Sequence, residues 1–432
     1  MKQLFALSII TLFFQSSSFS QDNAQIVAGA PNVFLDCTWR CDMDNYKREI
    51  KYVNFMRDRQ NANVYVLVTG KNTGGGDKFT LYFEGQEEFS GINDTLSINT
   101  ENDDTDREIS DAILSVFKKG ILPYLLQTPL AKKITYQVVL NEKSKEEQPN
   151  DPWNSWVFSI SAGGSAGGQS SSDRLNLRGR ISANRVTEKN KINFNYSYHY
   201  NRNNFYQFTK DSLGKIIDTI TYSSYRKSQY LNESNVFGLN DHWSVGSFLN
   251  FNTSSYSNVD YGISLKAGIE YDIFPYEETD RRKLAFIYRI GGLYNDYVDT
   301  TIYLKTKELL WQHNLEINFV QKQKWGSIFF GAEYSNYLHD FKLNRLSFRT
   351  NIDWNIVKGL TFGLGGSLAF VGDQITLPKS AVDTPALLLQ TRIIETSFIY
   401  WTFFNIRYTL GSKYANVVNP RFESGGGGYY FF

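Results

Sequence analysis

The feature that most constrains the fold is a long alternation of apolar and polar residues between Trp153 and about Gly411. In the segment KINFNYSYHYN, starting at Lys191, it runs without a break, and the apolar positions are Ile192, Phe194, Tyr196, Tyr198 and Tyr200. A period of two is that of a β-strand, whose successive side chains point to opposite faces. Soluble sandwiches alternate too, but rarely over so many long strands with such large aromatic faces. A polar face behind an apolar one is what a strand between lipid and a polar interior requires.

The alternation predicts twelve strands, at 153–168, 173–187, 191–208, 219–239, 242–257, 261–274, 281–297, 301–321, 324–338, 342–356, 360–372 and 388–411. The connections after even strands are short, such as EKNK, LND and VKG, whereas TKDSLGKIID and DQITLPKSAVDTPAL follow odd strands. Outer-membrane barrels have short periplasmic turns and longer outside loops. We therefore expect a mainly β fold, with a twelve-stranded antiparallel transmembrane β-barrel over 153–411 and both of its ends in the periplasm. Ten or fourteen strands are the alternatives, because the fourth strand is ambiguous.

The start of the chain and its composition agree with an envelope protein. Lys2, the apolar run Leu4–Phe14 and the small residues Ser18 and Ser20 predict a signal peptide over residues 1–20. No later apolar run reaches the ~18 residues of a spanning helix. The chain has 28 Tyr, 32 Phe and 8 Trp among 432 residues. Its net charge of +1 does not indicate a nucleic-acid partner.

Residues 33–140 follow a different pattern. NVFLDC, ANVYVLVTG, DKFTLYFEGQ, FSGINDTLSINT and KKITYQVVL have strand character, while MDNYKREIKYVNFMRD and DDTDREISDAILSVFKKGILPYLLQTP have helical spacing. We expect a small periplasmic α/β domain of order βαβββαβ. The charged segment 141–151 is then a linker to the barrel.

Two cysteines, Cys37 and Cys41, lie in this domain. A disulfide across the short loop is the favoured interpretation in an oxidising periplasm. Free thiols and a metal site are the alternatives, and a metal would need more ligands than two thiols.

The polar face of the long strands carries charges of both signs. We use parity for the set of alternate positions that share one face of a strand. On the polar parity, the residues expected to line the lumen are Arg178, Arg180, His199, Lys266, Glu270, Asp272, Arg289, Glu316, Glu333, Arg349, Asp353 and Arg407. Such charges could line a water-filled pore and set its selectivity. They could equally pair across the interior and close it, since buried charges need partners. The sequence leaves both interpretations open.

The four histidines are the candidates for an enzymatic group. Some outer-membrane barrels are hydrolases with Ser/His or Asp/His groups at the outer rim. His339 precedes Asp340, and His199 lies two residues from Ser197. Neighbours in a strand point to opposite faces, so His339 and Asp340 are not a natural acid–base pair. We assign no catalytic residue, metal or cofactor, and the sequence favours a protein that is not an enzyme.

The chain ends with ESGGGGYYFF, which places four aromatic residues after four glycines in a tail over 412–432. Outer-membrane barrels commonly carry an aromatic-rich final strand that the insertion machinery recognises, and YWTFFNIRYTLG resembles one. The candidate signal residues are Phe404, Ile406, Tyr408, Leu410 and Phe432. The glycine-hinged YYFF could be a second handle for that machinery or could tuck under the barrel mouth. The alternative is a flexible glycine-rich tail without a role.

Two stretches carry a family resemblance: VFLDCTWRCDMDNYKREIKYVNFMRDRQNANVYVLVTGKNTGGGDKFTLYFEGQ, from Val33, and ANVVNPRF, from Ala415, followed by glycines and aromatics. With them the chain resembles an uncharacterised family of outer-membrane β-barrel proteins of Bacteroidota-type bacteria with an N-terminal periplasmic α/β domain. The likeness covers nearly the whole chain and implies a location but no activity. The small domain is also similar, at the level of the fold alone, to the TolB amino-terminal domain.

Three functions follow as hypotheses. The first is a small-solute pore with a periplasmic domain that docks a partner or gates the mouth. The second is a structural or assembly protein with a closed barrel, and the third is a surface-exposed hydrolase. The expected partners are outer-membrane lipid, the barrel-insertion machinery and a periplasmic protein.

Overall fold

The computed structural model describes residues 26–37, 40–101, 103–135, 151–187, 189–380 and 392–416. The predicted signal peptide, the predicted linker except Asp151, Phe432 and most of the predicted tail lie outside these residues. Within them the chain forms a small mixed sheet with helices, followed by a large antiparallel sheet.

The small sheet belongs to the N-terminal domain. Its strands are β1 (Asn32–Asp36), β2 (Asn54–Phe55), β3 (Val64–Asn72), β4 (Gly76–Gly85) and β5 (Asn93–Glu101), in the order β2-β1-β3-β4-β5. β1 is parallel to both of its neighbours, and β3, β4 and β5 are antiparallel. The helices are α1 (Met43–Glu49), α2 (Asp106–Gly120) and α3 (Leu122–Leu125). The edge strand β2 therefore has one hydrogen-bonding side that the small sheet itself does not use.

Helix α2 supplies much of the core. Its N-terminus is closed by a capping box between Thr105 and Glu108, and a buried stripe that includes Ile113 and Phe117 faces the sheet. The ring of Phe117 lies 6.2 Å from that of Phe83. The stripe follows the period of 3.6 that the sequence shows, which is why this helix was predictable.

Two predictions for this domain need correction. The helix predicted over MDNYKREIKYVNFMRD ends at Glu49, and Asn54–Phe55 form a strand beside β1. Val53, Phe55 and Met56 are all buried, a run that suits a strand between two layers as well as a helix. The last predicted strand begins in a 3₁₀ turn, Pro129–Lys133, and residues 136–140 lie outside the described part.

The two cysteines are joined by a disulfide, with Cα atoms 6.2 Å apart. The bridge connects the end of β1 to the segment before α1, and both cysteines pack against the core of the domain. Its position fixes where the chain leaves the sheet for the first helix.

Gly120, at the end of α2, gives a stability prediction. A Cβ atom there would overlap the ring of Phe83, which is buried. Alanine in a helix is favoured over glycine by about 1 kcal/mol, but overpacking a core costs about 1–3 kcal/mol. We expect Gly120→Ala to lower the urea concentration at the midpoint of unfolding of the domain. Near-ultraviolet circular dichroism would measure this midpoint. Adding Phe83→Leu should recover part of the loss, and a Gly120→Ala domain as stable as the parent would contradict the packing argument.

The prediction of a twelve-stranded antiparallel region is confirmed. The strands are β6 (Trp156–Gln169), β7 (Ser172–Val186), β8 (Asn190–Lys210), β9 (Ile216–Gly238), β10 (Trp243–Ser254), β11 (Val259–Asp272), β12 (Arg282–Tyr297), β13 (Lys307–Gln323), β14 (Gly326–Tyr337), β15 (Asp340–Val357), β16 (Leu360–Val371) and β17 (Phe398–Tyr408). Each pairs with the next, from β6 to β17. Among the described residues β6 and β17 do not pair with each other, so the sheet is open at this seam.

One face of this sheet is concave. Lys266 on β11 donates hydrogen bonds of 2.6 Å to Gln312 and Asn314 on β13, two strands away. On the opposite, convex face of β11, Leu265 is 60% exposed. The parity predicted from the sequence therefore separates a polar concave face from an apolar convex face on this strand.

Strand β9 departs from this rule. Its convex face carries Lys227, Gln229, Glu233 and Asn235, opposite apolar or aromatic residues of β8, and Glu233 also lies opposite Leu249 of β10. Gln229 accepts a hydrogen bond of 2.9 Å from the hydroxyl of Tyr196. These polar residues are the reason that the fourth strand was ambiguous in the sequence.

The two ends of the sheet differ. At the end that we call the short-turn end, the connections β7–β8, β9–β10, β11–β12, β13–β14 and β15–β16 join neighbouring strands. At the opposite, long-loop end, the described connecting residues include 298–306, 372–380 and 392–397. The N-terminal domain contacts the short-turn end.

Candidate functional site

The concave face between β11 and β15 is a connected polar network. Arg289 forms a salt bridge of 2.8 Å with Glu316, and Arg349 lies 3.9 Å from Glu333. Asn314, which accepts from Lys266, donates to Glu333 at 3.2 Å. This wall therefore brings together five of the predicted lumen residues and neutralises most of their charge.

Glu270 belongs to the same wall but pairs with a residue that the sequence analysis missed. Lys283 on β12 forms a salt bridge of 3.0 Å with Glu270. The polar partners Gln312, Asn314 and Asn318 were missed as well. All four lie on the parity of the predicted charges, so counting every polar residue on that parity would have found them.

The other predicted lumen residues lie apart from this network. Arg178 and Arg180 lie side by side on β7, next to the small residues Gly163 and Ser161 of β6. Arg407 lies at the short-turn end of β17, opposite Thr361. Within the described part of the chain, none of these three guanidinium groups has a salt bridge or a hydrogen bond. The unpaired charge of the concave face near the seam is thus positive.

Asp272 and Asp353 have local roles. Asp272 is fully buried and accepts hydrogen bonds of 3.1 Å from the backbone N–H groups of Phe274 and Leu284, which holds the β11–β12 connection. Asp353 accepts from Asn351 at 3.2 Å.

The four histidines are engaged in packing. His199 and Tyr230 make an edge-on ring contact at 6.5 Å, and His339 packs near Tyr337. His313 lies on the convex face between two tyrosine rings. The Nδ1 of His242 hydrogen-bonds to the backbone carbonyl of Asp272 at 2.8 Å. Asp340 accepts from the backbone N–H of Lys342. This geometry offers no support for a histidine-based hydrolase among the described residues.

The N-terminal domain is held at the short-turn end by Asp280. The hydroxyl groups of Thr69 and Tyr82 donate to this carboxylate at 3.0 and 2.8 Å. Arg281 lies over the Tyr82 ring, 5.2 Å from its centroid. Burial raises the pKa of Tyr82 above its usual value, and the bond to Asp280 acts in the same direction. The Tyr82 hydroxyl therefore stays protonated and remains a donor to Asp280 at any physiological pH.

Lys71 makes a further contact beside the Asp280 carboxylate. Lys71 donates to the hydroxyl of Thr279 at 3.1 Å and to the backbone carbonyl of Tyr276 at 3.3 Å. Burial lowers the pKa of Lys71 from its usual value. The β11–β12 connection is thus bound by side chains from both strands of the β3–β4 hairpin.

The tip of that hairpin reaches the other side of the short-turn end. A Cβ atom on Gly75 would lie 3.6 Å from Cγ2 of Val157, and Gly74 lies against Val186. Val157 and Val186, at the ends of β6 and β7, share the parity of the concave face. One hairpin therefore extends from the β11–β12 connection to the concave side of β6 and β7, across this end of the sheet.

Three further contacts attach the domain. Glu84 forms an ion pair with Lys324 in the β13–β14 turn, and Asn61 accepts from Lys358 in the β15–β16 turn. The segment after β17 pairs with the free side of β2: the N–H of Arg57 donates to the carbonyl of Lys413 at 2.8 Å, and that of Ala415 to the carbonyl of Phe55 at 2.9 Å. This segment opens the tail predicted over 412–432. Its first residues are strand-paired because the edge strand β2 offers unpaired backbone groups.

The long-loop end is covered by the segment after β16. Asp373 pairs with Arg345, with an Arg345 Nη2 to Asp373 Oδ1 distance of 3.0 Å. Ile375 is buried against Leu310, Tyr337 and Leu343 of the concave face. This segment therefore enters the space bounded by the concave face.

The same segment also reaches strands on the far side. The carbonyl of Leu377 accepts from the N–H of Ile302 at 2.8 Å, and that of Thr376 accepts from the side chain of Asn258 at 2.9 Å. Asn258 lies between β10 and β11, five strands from β16. The segment thus spans this end of the sheet, as the hairpin spans the other.

The candidate assembly-signal residues Phe404, Ile406 and Tyr408 lie on the exposed convex face of β17, and Leu410 follows the strand. None of the helices in the described ranges is both long and apolar enough to cross a membrane. No protein-family model matches the sequence, and neither does any curated protein.

Proposed function

We propose that the chain is an outer-membrane β-barrel that forms a small-solute pore, with the N-terminal domain as a gate at its periplasmic mouth. Two aromatic bands on the convex face support the membrane assignment. Trp243 and Tyr271 lie near the short-turn end, and Tyr261 and Tyr294 near the long-loop end. Ten residues of β11 separate the bands, roughly 33 Å along a strand. A tilt of ~40° reduces this to about 25 Å, the height of the apolar band of such barrels.

The polar stripe on β9 is the exception to this band. An acidic residue on a lipid-facing strand costs less than the ~2–4 kcal/mol of a lysine or arginine at the bilayer midplane. Glu233 is one such residue, whereas β11 and β17 present apolar convex faces. The lysine of the stripe, Lys227, lies level with Ser255 beyond the end of β10, where the N–H of Ser255 donates to its carbonyl at 3.1 Å, and not at the midplane. The stripe therefore weakens the membrane assignment locally without reversing it.

Closure of the barrel between β6 and β17 is supported by the sizes of the side chains on their concave faces. On β17 these are Trp401 and Phe403, whose rings stack 5.6 Å apart. On β16 the residues opposite them are Ser367 and Gly365. On β6 the concave-face residues at the same level as these rings are all small, and Ser161 is one of them. Small residues on both sides leave room for the two large rings, and closure removes two exposed strand edges.

The polarity of the domain contacts favours a gate over a permanent seal. The domain is attached through Asp280, Lys324, Lys358 and the strand-paired segment 413–416, while Val157 and Val186 supply the apolar contacts at the hairpin tip. Two domains are expected to move relative to each other unless the interface between them is large and hydrophobic. The hairpin that spans the mouth is the observation on which the gate rests.

The test is single-channel conductance in a planar bilayer. The mature protein and a version that begins at Asn150 are compared after heat-modifiability has verified that both are folded. We expect brief, small openings from the mature protein and steady, ion-selective openings from the shorter one. Two silent proteins would remove the pore and leave the closed scaffold, for which the buried Ile375 at the long-loop end is the favouring observation.

A further inference from the structure

A cleft of about 260 Å³ lies between the N-terminal domain and the short-turn end. Arg57, Asp58 and Arg59 line it from the domain, and Lys358 and Arg407 line it from the sheet. We propose that this cleft binds a phosphate-class oxyanion, either free phosphate or the phosphate group of a small solute. Such a ligand would contact the domain and the sheet together.

The charge of the cleft is the first argument. Its one carboxylate, Asp58, is occupied by Arg57, whose Nε and Nη2 lie 3.2 and 3.0 Å from Oδ2. Arg59 forms a long ion pair with Asp36, with 3.8 Å between Nη2 and Oδ2, whereas Lys358 and Arg407 have no carboxylate partner among the described residues. Lys358 and Arg407 therefore give the cleft an excess of positive charge, which an anion bound between them would offset.

The environment of Arg59 is the second argument. Its side chain is only 15% exposed, and its guanidinium packs beside the stacked rings of Phe34 and Tyr65, 5.7 and 5.8 Å from their centroids. Its Nη1 is buried and has no hydrogen-bond partner in the described structure. A buried charged donor left unpaired is costly, so such a group needs an explanation. An oxyanion in the cleft would supply the missing acceptor.

The size and charge of the cleft select the ligand class. The volume is below that of a typical site for a drug-sized molecule, so a helix or strand of a partner does not fit. A phosphate monoester carries about −1.5 to −2 charges at pH 7, which matches several cations better than one carboxylate does. Guanidinium groups bind phosphate oxygens through paired N–H donors.

The position of the cleft selects the source of the phosphate. Arg407 and Thr361 lie on the concave face of the sheet, not on the convex face that we assign to lipid. A dissolved phosphate can reach the cleft from the mouth, whereas a phospholipid headgroup would have to leave the bilayer. Because the ligand would bind the N-terminal domain and the large sheet together, it would favour the docked state of the domain over the released state.

The test is calorimetric titration of the full chain in detergent with inorganic phosphate and with glycerol 3-phosphate, at constant ionic strength. Arg407→Gln and Lys358→Gln should each weaken binding by about tenfold, the loss of a charge-assisted hydrogen bond. Arg174→Gln, an exposed arginine at the long-loop end, is the matched control and should leave binding unchanged. Both cleft variants change exposed side chains, which keeps folding out of the comparison. Lys358 also donates to Asn61 and so helps to attach the domain, whereas Arg407 makes no such contact, and Arg407→Gln therefore separates ligand binding from domain docking.

Three outcomes would overturn the proposal. These are a folded protein that binds neither probe, an equal loss of binding in the control, and binding only in nanodiscs that contain phosphatidylglycerol. Binding is measured without conduction, so a silent channel that still binds phosphate would remove the pore and leave the cleft in place.

Discussion

Oxidation of a Gly75→Cys/Val157→Cys variant should reduce single-channel openings of the full chain nearly to the baseline, and reduction should restore them. A Cβ on Gly75 lies 3.6 Å from Cγ2 of Val157, close enough for a disulfide after a small adjustment. The bond would fix the hairpin tip to the concave side of β6. Since the Asp280 contacts already hold the other end of the hairpin, the proposed gate would then be attached at both sides of the short-turn end.

The background for this variant is Cys37→Ser/Cys41→Ser, which leaves no other thiol in the chain. Loss of this short-loop disulfide costs about 2 kcal/mol by chain-entropy arguments. The cost is the same in the oxidised and the reduced sample, so it cancels in the comparison. Each single cysteine variant is the control and should not respond to oxidant. Unchanged openings in a fully cross-linked sample would show that the domain does not gate the lumen.

The strands were predictable because their signal is local. On β11 the alternation of Ile263, Leu265 and Ile269 with polar residues follows directly from a sheet with two different environments. The same parity placed Lys266 on the concave face with Gln312, a partner that no spacing could identify. Periodicity assigns a residue to a face, and the curvature of the sheet decides which residues on that face meet.

The attachment of the domain was not predictable, because it joins segments far apart in the chain. Asp280 sits in a turn of a charged sequence, PYEETD, where any of three carboxylates could have been the acceptor. Its donors Thr69 and Tyr82 lie about two hundred residues earlier. The pairing of β2 with the segment around Tyr414 has the same character, since backbone groups form it and carry no sequence signature.

Opening the long-loop end is the second large effect that we expect, and it depends on the state of the gate. Asp373→Ala removes the carboxylate that holds Arg345 and should weaken the seating of the segment 372–380 by about 2 kcal/mol. That amounts to a factor of roughly 30 in the equilibrium between seated and released segment. We therefore expect higher conductance in the version that begins at Asn150.

In the cross-linked full chain the same substitution should change little. In the proposed pore, the hairpin and the segment 372–380 lie at opposite ends of one path, so their resistances add, and the larger one controls the current. Asp260→Ala, which removes an exposed carboxylate at the same end, is the matched control and should not alter conductance in either background. A rise of similar size in both backgrounds would mean that solute bypasses the N-terminal domain. The gate would then have to be sought at Ile375 and its neighbours rather than at Asp280.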